Sequence, residues 1–261
     1  MAKEKVMLSY RQIGNSLSDM TLVFIHGSSM TKEGMMPLAD KFTQYNCIVL
    51  DLTAHGESGG EEPEEVRDFA DDVEYTITEL QGRNVIGGRI VLLGYSMGGA
   101  ITCEIAIRKT LPLSGMVVLS SGGDLNSYTP LVDELKSVPA EQFVVADVFP
   151  ALVGEDVPEE KKQEIIHHFD TTKVSDVISY GDLMASNRYN RLADCAQIDI
   201  PALIVQGCDD TIVLPMAAVE TWKTIPGSEL LMIPYRGHAA LFEDTELFRE
   251  KITSFIEKLN K

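Results

Sequence analysis

Long apolar runs, paired cysteines and positive charge are what this 261-residue sequence has little of. No uncharged apolar stretch is long enough to cross a bilayer, so an integral membrane helix is not expected. The opening residues Met1-Ala2-Lys3-Glu4-Lys5-Val6 contain no apolar h-region, and secretion is not indicated. Cys47, Cys103, Cys195 and Cys208 show neither CxxC nor metal-ligand spacing. They read as reduced thiols of a cytoplasmic protein, not as a disulfide framework or a zinc site, with Cys47 and Cys103 in buried-type elements and Cys208 a small apolar filler. The balance of 22 basic to 40 acidic residues gives a formal charge of −18. Nucleic-acid phosphates and anionic lipid headgroups would be repelled, so neither is an expected partner. Oligomeric state leaves no mark on the sequence.

What is present is ordinary globular material. Hydrophobic content of 44% and charged content of 24% suit a packed core, and the length suits one domain carrying an insertion. Strand-like runs at Thr21–Ile25, Cys47–Asp51, Ile90–Leu93, Gly115–Leu119, Ala202–Gln206 and Leu230–Pro234 alternate with helical segments. This alternation predicts an α/β fold, a mostly parallel central sheet with helices on both faces. Residues 64–80 show helical spacing through Val66, Phe69, Val73 and Ile77. Pro63, among Glu61, Glu62, Glu64 and Glu65, suits the first turn of that helix, so the acidic run reads as a helix start. A closing amphipathic helix is expected from Leu241 to Leu259. Between Gly123 and Ile198 only helical patches appear, at Gln142–Leu152, Glu159–Phe169 and Thr172–Met184. The implied organisation is a core of residues 1–123 and 198–261 with a helical cap, 124–197, over the carboxyl edge of the sheet, where open α/β sheets place ligands.

The densest signal is Gly94-Tyr95-Ser96-Met97-Gly98-Gly99, set between the run Arg89-Ile90-Val91-Leu92-Leu93 and a helix-like segment. A sharp strand-to-helix turn admits only small flanking residues. It lifts the serine Oγ clear of the sheet and aims free helix N–H groups at the reaction centre. A serine nucleophile needs a base, the base an orienter, and the oxyanion donors. Asp210 follows the strand ending at Gln206, and His238 follows the strand ending near Pro234, both on the edge that carries Ser96. His26-Gly27-Ser28-Ser29 follows the first strand, where a backbone N–H can join that of Met97 as an oxyanion donor.

With these residues in order, the chain resembles an α/β-hydrolase of the small, helically capped kind that includes many bacterial carboxylesterases. The likeness rests on His26-Gly27, Asp51-Leu52-Thr53-Ala54-His55-Gly56-Glu57-Ser58, the turn at 94–98, the Gly207–Asp210 loop and Gly237-His238. It implies Ser96 as nucleophile, His238 as general base and then acid, Asp210 as orienter, and the Ser28 and Met97 amides as oxyanion hole. Asp209 and Asp124 remain alternatives for the acid, and Ser29 for the oxyanion residue. His26 and His55 belong to turns that their imidazoles brace. Many relatives carry an aromatic after His-Gly, whereas Ser28-Ser29-Met30 stands here and implies a roomier or more polar acyl pocket.

The reaction implied is hydrolysis of small to medium acyl esters through an acyl-enzyme, with a small-molecule ester as the partner and no cofactor or metal. Lactonase, thioesterase, carbon–carbon hydrolase, acyltransferase and haloperoxidase-like activities share the triad, and a ligand receptor with slow hydrolysis is a further alternative. Phe143, Val144, Phe149, Leu152, Tyr180 and Met184 are candidates for the acyl pocket or for packing of the cap. His167 and His168 sit in a cap helix and match no metal pattern.

Overall fold

The computed structural model describes residues 4–259. Met1, Ala2 and Lys3 of the N-terminal stretch, and Asn260 and Lys261 at the end of the core segment, lie outside them.

Seven strands form one sheet: β1 (Tyr10–Gly14), β2 (Met20–Ile25), β3 (Asn46–Leu50), β4 (Arg89–Tyr95), β5 (Leu113–Leu119), β6 (Ala202–Gly207) and β7 (Glu229–Ile233). Their order is β1-β3-β2-β4-β5-β6-β7. β1 pairs antiparallel with β3, and every other pairing is parallel. Every residue of β2, β3 and β6 is buried. Helices cover both faces of such a sheet, so its strands read as continuous apolar runs without alternation. The helices of eight residues or more are α1 (Val66–Gly82), α2 (Met97–Arg108), α3 (Glu159–Thr172), α4 (Asp176–Asn187), α5 (Met216–Thr224) and α6 (Thr245–Lys258).

Several local expectations shift. β1 was not expected: Tyr10-Arg11-Gln12-Ile13-Gly14 exposes three of its residues, so its apolar signal is too thin to read. α1 begins at Val66 behind an extended Glu65. Pro63 therefore lies ahead of the first turn, and the acidic run leads into the helix without forming its start. The closing helix is broken at Asp244, whose non-helical backbone (φ −144°, ψ 63°) ends the short helix Ala240–Glu243 and whose side chain accepts from the Leu247 amide to cap α6.

Between β5 and β6, among the described residues, the chain holds no strand, only the isolated bridges Met30↔Lys173 and Asp124↔Asn190. The expected helix at Gln142–Leu152 is three single turns, Ala140–Gln142, Val145–Asp147 and Phe149–Leu152. Consecutive β-branched Val144 and Val145 disfavour helix, and Pro150 cannot donate to one. Among the described residues no helix is long and apolar enough to cross a membrane.

Candidate active site

Ser96 joins β4 to α2 with φ 52° and ψ −120°, a backbone conformation that a residue with a side chain adopts only under constraint. The constraint is close packing. A Cβ on Gly94 would lie 2.0 Å from the Gly98 carbonyl oxygen, and one on Gly98 would lie 2.2 Å from that of Ile25. Glycine at both flanks is what lets the turn close and present the hydroxyl at the first turn of α2.

The loops after β6 and β7 converge on that hydroxyl. His238 Nε2 lies 2.9 Å from Ser96 Oγ, and His238 Nδ1 lies 2.7 Å from Asp210 Oδ2. Both His238 and Asp210 are buried. The other Asp210 oxygen, Oδ1, accepts the Ile212 and Val213 amides, each at 2.9 Å. The carboxylate is thus fixed from the backbone and holds His238 with Nδ1 protonated, leaving Nε2 to accept from the serine. The alternative acids are elsewhere: Asp124 Oδ1 accepts the Ser127 amide in its own loop, and Asp209 is exposed.

Two neighbours carried no signal in the sequence. Gln206 Nε2 donates to Asp210 Oδ2 at 2.7 Å. Tyr95, adjacent to the serine, donates its hydroxyl to the His238 carbonyl at 3.3 Å, and its ring centroid lies 5.3 Å from the imidazole.

The turn after β2 faces Ser96 from the other side. Ser29 has φ 68°, and its amide donates to Asp182 Oδ2 of α4 at 2.8 Å. Among the described residues neither the Ser28 nor the Met97 amide has a protein acceptor. Of the two serines, Ser28 is therefore the one whose N–H is free. His26 braces this turn through Nδ1 to the Gly27 carbonyl and accepts the Leu52 amide at Nε2, 3.0 Å away. Burial and the neighbouring His55 push its pKa down to about 3, which keeps it neutral and able to accept. His55 differs, with Nδ1 2.8 Å from the Thr53 carbonyl and Nε2 2.9 Å from Asp182 Oδ2. Burial opposes its charge, but the Asp182 carboxylate outweighs burial and raises its pKa.

A narrow cavity of about 50 Å³ opens onto Ser96 and His238. Ser28 and Ser29 line it, but most of its wall is apolar, from Val145, Val148, Phe149, Leu152, Phe169 and Leu183 of the insertion and Ile212 of the core. Ser28 and Ser29, which stand where many relatives carry an aromatic, put hydroxyls at this end of the cavity, and the side chains from between β5 and β6 narrow the rest. Of the sequence candidates for the pocket, Phe149 and Leu152 line it; Phe143 packs on Tyr180 at 5.6 Å, and Val144 is exposed. A larger cleft of about 140 Å³, beside Arg67, Glu104, Arg188 and Arg191, lies apart from the serine, and among the described residues no serine, threonine or cysteine lines it. Cys208 is exposed, not a buried filler, while Cys47, Cys103 and Cys195 are buried. Among the described residues no cluster of three His, Cys, Asp or Glu side chains is arranged to hold a metal ion.

The insertion is stitched to the His238 loop as well. Glu243 Oε1 accepts both the Gly154 amide, at 2.9 Å, and the Gly237 amide, at 3.2 Å. The Ala239 amide donates to the Leu152 carbonyl at 2.7 Å.

The sequence and the fold have known relatives. The chain is similar to a lipase-esterase related protein from Clostridium acetobutylicum, with 28% identity and a TM-score of 0.84 over 95% of this chain and 99% of that one. It is 25% identical to "Lipase 1" of Psychrobacter immobilis, covering 90% of this chain and 75% of the lipase. It is equally 25% identical to a Haemophilus influenzae protein named "Putative 2-succinyl-6-hydroxy-2,4-cyclohexadiene-1-carboxylate synthase", over 91% of this chain and 98% of that protein. The alpha/beta hydrolase family model matches residues 22–251, nearly the whole sheet and all of the insertion, and the chain belongs to that family.

Proposed function

We propose that this protein is a serine hydrolase of carboxylic esters with small to medium acyl chains, using Ser96, His238 and Asp210. The observation that carries this reading is the unbroken hydrogen-bonded series Ser96 Oγ, His238 Nε2, His238 Nδ1 and Asp210 Oδ2, with links of 2.9 and 2.7 Å. In the proposed reaction, Ser96 Oγ attacks the ester carbonyl as its proton passes to His238 Nε2. The Ser28 and Met97 amides receive the oxyanion, and loss of one such donor costs about 3–4 kcal/mol of transition-state stabilisation. The imidazolium, held by Asp210, protonates the leaving alcohol, and water then cleaves the acyl-enzyme by the same steps.

We read residues 124–197 as a cap whose apolar side chains bound the acyl group, and the narrow cavity favours the small end of the range. The four free thiols are in keeping with a reducing compartment such as the cytoplasm. Names of relatives that are lipases or esterases support the ester reading.

The test is hydrolysis of a chromogenic ester series from acetate to long chains, with Ser96→Ala as control. Turnover that peaks at short chains and vanishes in Ser96→Ala is expected. Turnover that survives Ser96→Ala would sink the assignment.

A further inference from the structure

The turn that supplies the Ser28 amide is held less by the sheet than by the insertion. Ser29, with its positive φ of 68°, donates its amide to Asp182 Oδ2 at 2.8 Å and accepts the Val174 amide at its carbonyl at 3.0 Å. Met30 forms an antiparallel bridge with Lys173, and the Thr31 amide donates to the Thr172 carbonyl at 2.9 Å. Ser28 Oγ meets Ser186 Oγ at 3.2 Å, one turn beyond Asp182 on α4. A strained backbone persists only where its surroundings over-determine it, and here the determinants come from residues 172–186.

Asp182 is itself pinned. Its Oδ2 also receives His55 Nε2 at 2.9 Å, while His55 Nδ1 faces only the Thr53 carbonyl, an acceptor. Nδ1 is therefore placed to donate to that carbonyl, and Nε2 faces the Asp182 carboxyl, whose proximity favours the charged imidazole against its burial. His55 lies in the loop after β3, so three separate segments meet at one carboxylate oxygen. Glu62 faces the same group across Gly181, where a Cβ would overlap its Oε1. Among the described residues, Asp182 Oδ1 and Glu62 Oε1 are both buried without a partner, so the hydrogen bonds of the Asp182 carboxyl run through Oδ2 to Ser29 and His55.

We infer that Asp182 is a positioning residue for ester hydrolysis: by holding the Ser29 amide it fixes the peptide that aims the Ser28 N–H at the oxyanion. This rests on the serine-esterase reading above. It makes the seating of α4 a determinant of turnover, although α4 contributes no group to the proton relay. The ground-state ester carbonyl needs the Ser28 donor less than the oxyanion does, so the effect falls on kcat more than on KM.

The experiment compares Asp182→Ala, Asp182→Asn and Asp182→Glu, with turnover expressed per site labelled at Ser96 by a fluorophosphonate. Labelling counts only folded, competent sites, so misfolded protein does not enter the rate. Asn keeps the reach to Ser29 and loses the charge, whereas Glu keeps the charge and overshoots the reach. The expected order of kcat per site is wild type, then Asn within about fivefold, then Glu and Ala lower by about thirtyfold or more, with KM within about threefold throughout. Inhibition by a trifluoromethyl ketone, whose adduct carries the oxyanion, should weaken in the same order. An Ala variant with wild-type kcat per site would overturn the inference while leaving the esterase reading intact. A Glu variant outperforming Asn would overturn it too, by showing that the counter-charge to His55 is what matters. A wild-type protein that is not labelled at Ser96 would overturn both readings together.

Discussion

Gln206 donates its side-chain amide to the same Asp210 oxygen that accepts His238, at 2.7 Å in each case. One carboxylate oxygen thus serves two donors, and the orientation of the imidazole depends on a residue at the end of β6 that has no part in proton transfer. Gln206→Leu removes the donor without adding charge and should lower kcat about tenfold, equivalent to about 1.4 kcal/mol. KM should hardly move. Steady-state kinetics on a short-chain ester decide the point, and an unchanged kcat would mean that the Ile212 and Val213 amides position Asp210 unaided.

Asp210→Asn should lower kcat by about a thousandfold or more, since an amide cannot hold His238 with Nδ1 protonated and Nε2 accepting. Asp124→Asn should change it less than twofold, because Asp124 contacts Ser127 and its own loop. Reversal of that ranking in parallel assays would reassign the acid.

Glu62 gives the protein a pH-dependent stability of predictable sign. Burial, and then the Asp182 charge, raise its carboxyl pKa from 4.5 to about 7 in the folded chain. A raised folded-state pKa contributes stability that is fully present below the unfolded value and is lost as pH rises through the folded one. Glu62→Gln should therefore leave Tm nearly unchanged at pH 4.5 and raise it relative to wild type at pH 8. Thermal melts of both proteins at the two pH values test this, and an equal offset at both would show that ionisation is not involved.

Phe149 walls the cavity from the insertion side. Phe149→Ala should lengthen the preferred acyl chain, raising kcat/KM for octanoate over acetate by about tenfold relative to wild type. The cavity left behind should also lower stability by about 3 kcal/mol. A chain-length profile that stays put would place the acyl group elsewhere.

The sheet was legible because β2 through β6 are buried on both faces and spell continuous apolar runs. The Ser96 turn was legible because the glycines that let it close, Gly94 and Gly98, flank the serine in the chain itself, even though Gly98 packs on the distant Ile25 carbonyl. Asp182 was not, since the Ser29 amide it accepts is 153 residues away and His55 is 127 away. A single aspartate on an amphipathic helix reads as solvent-facing until its partners are known. Glu62 misled for the same reason: a glutamate in an acidic run resembles a helix lead, and only the bare Gly181 packed on it reveals its burial. Gln206, at the end of an apolar strand, had no pattern to mark it. Tyr10–Gly14 pairs through its backbone as an edge strand, and backbone pairing leaves little trace in side-chain hydrophobicity.

Ser96 and His238 touch although 142 residues separate them, and the strands that deliver them, β4 and β7, are joined only through β5 and β6. Any fragment that holds both residues must run from Ser96 through His238 and so include β5, β6 and β7. The hydroxyl and the imidazole can meet only after β7, laid down late in synthesis, has docked at the far edge. Hydrolytic activity is consequently a clock for completion of the whole sheet. During refolding it should return with the slowest phase of tertiary structure, and a nascent chain still lacking β7 stays inert towards the esters around it.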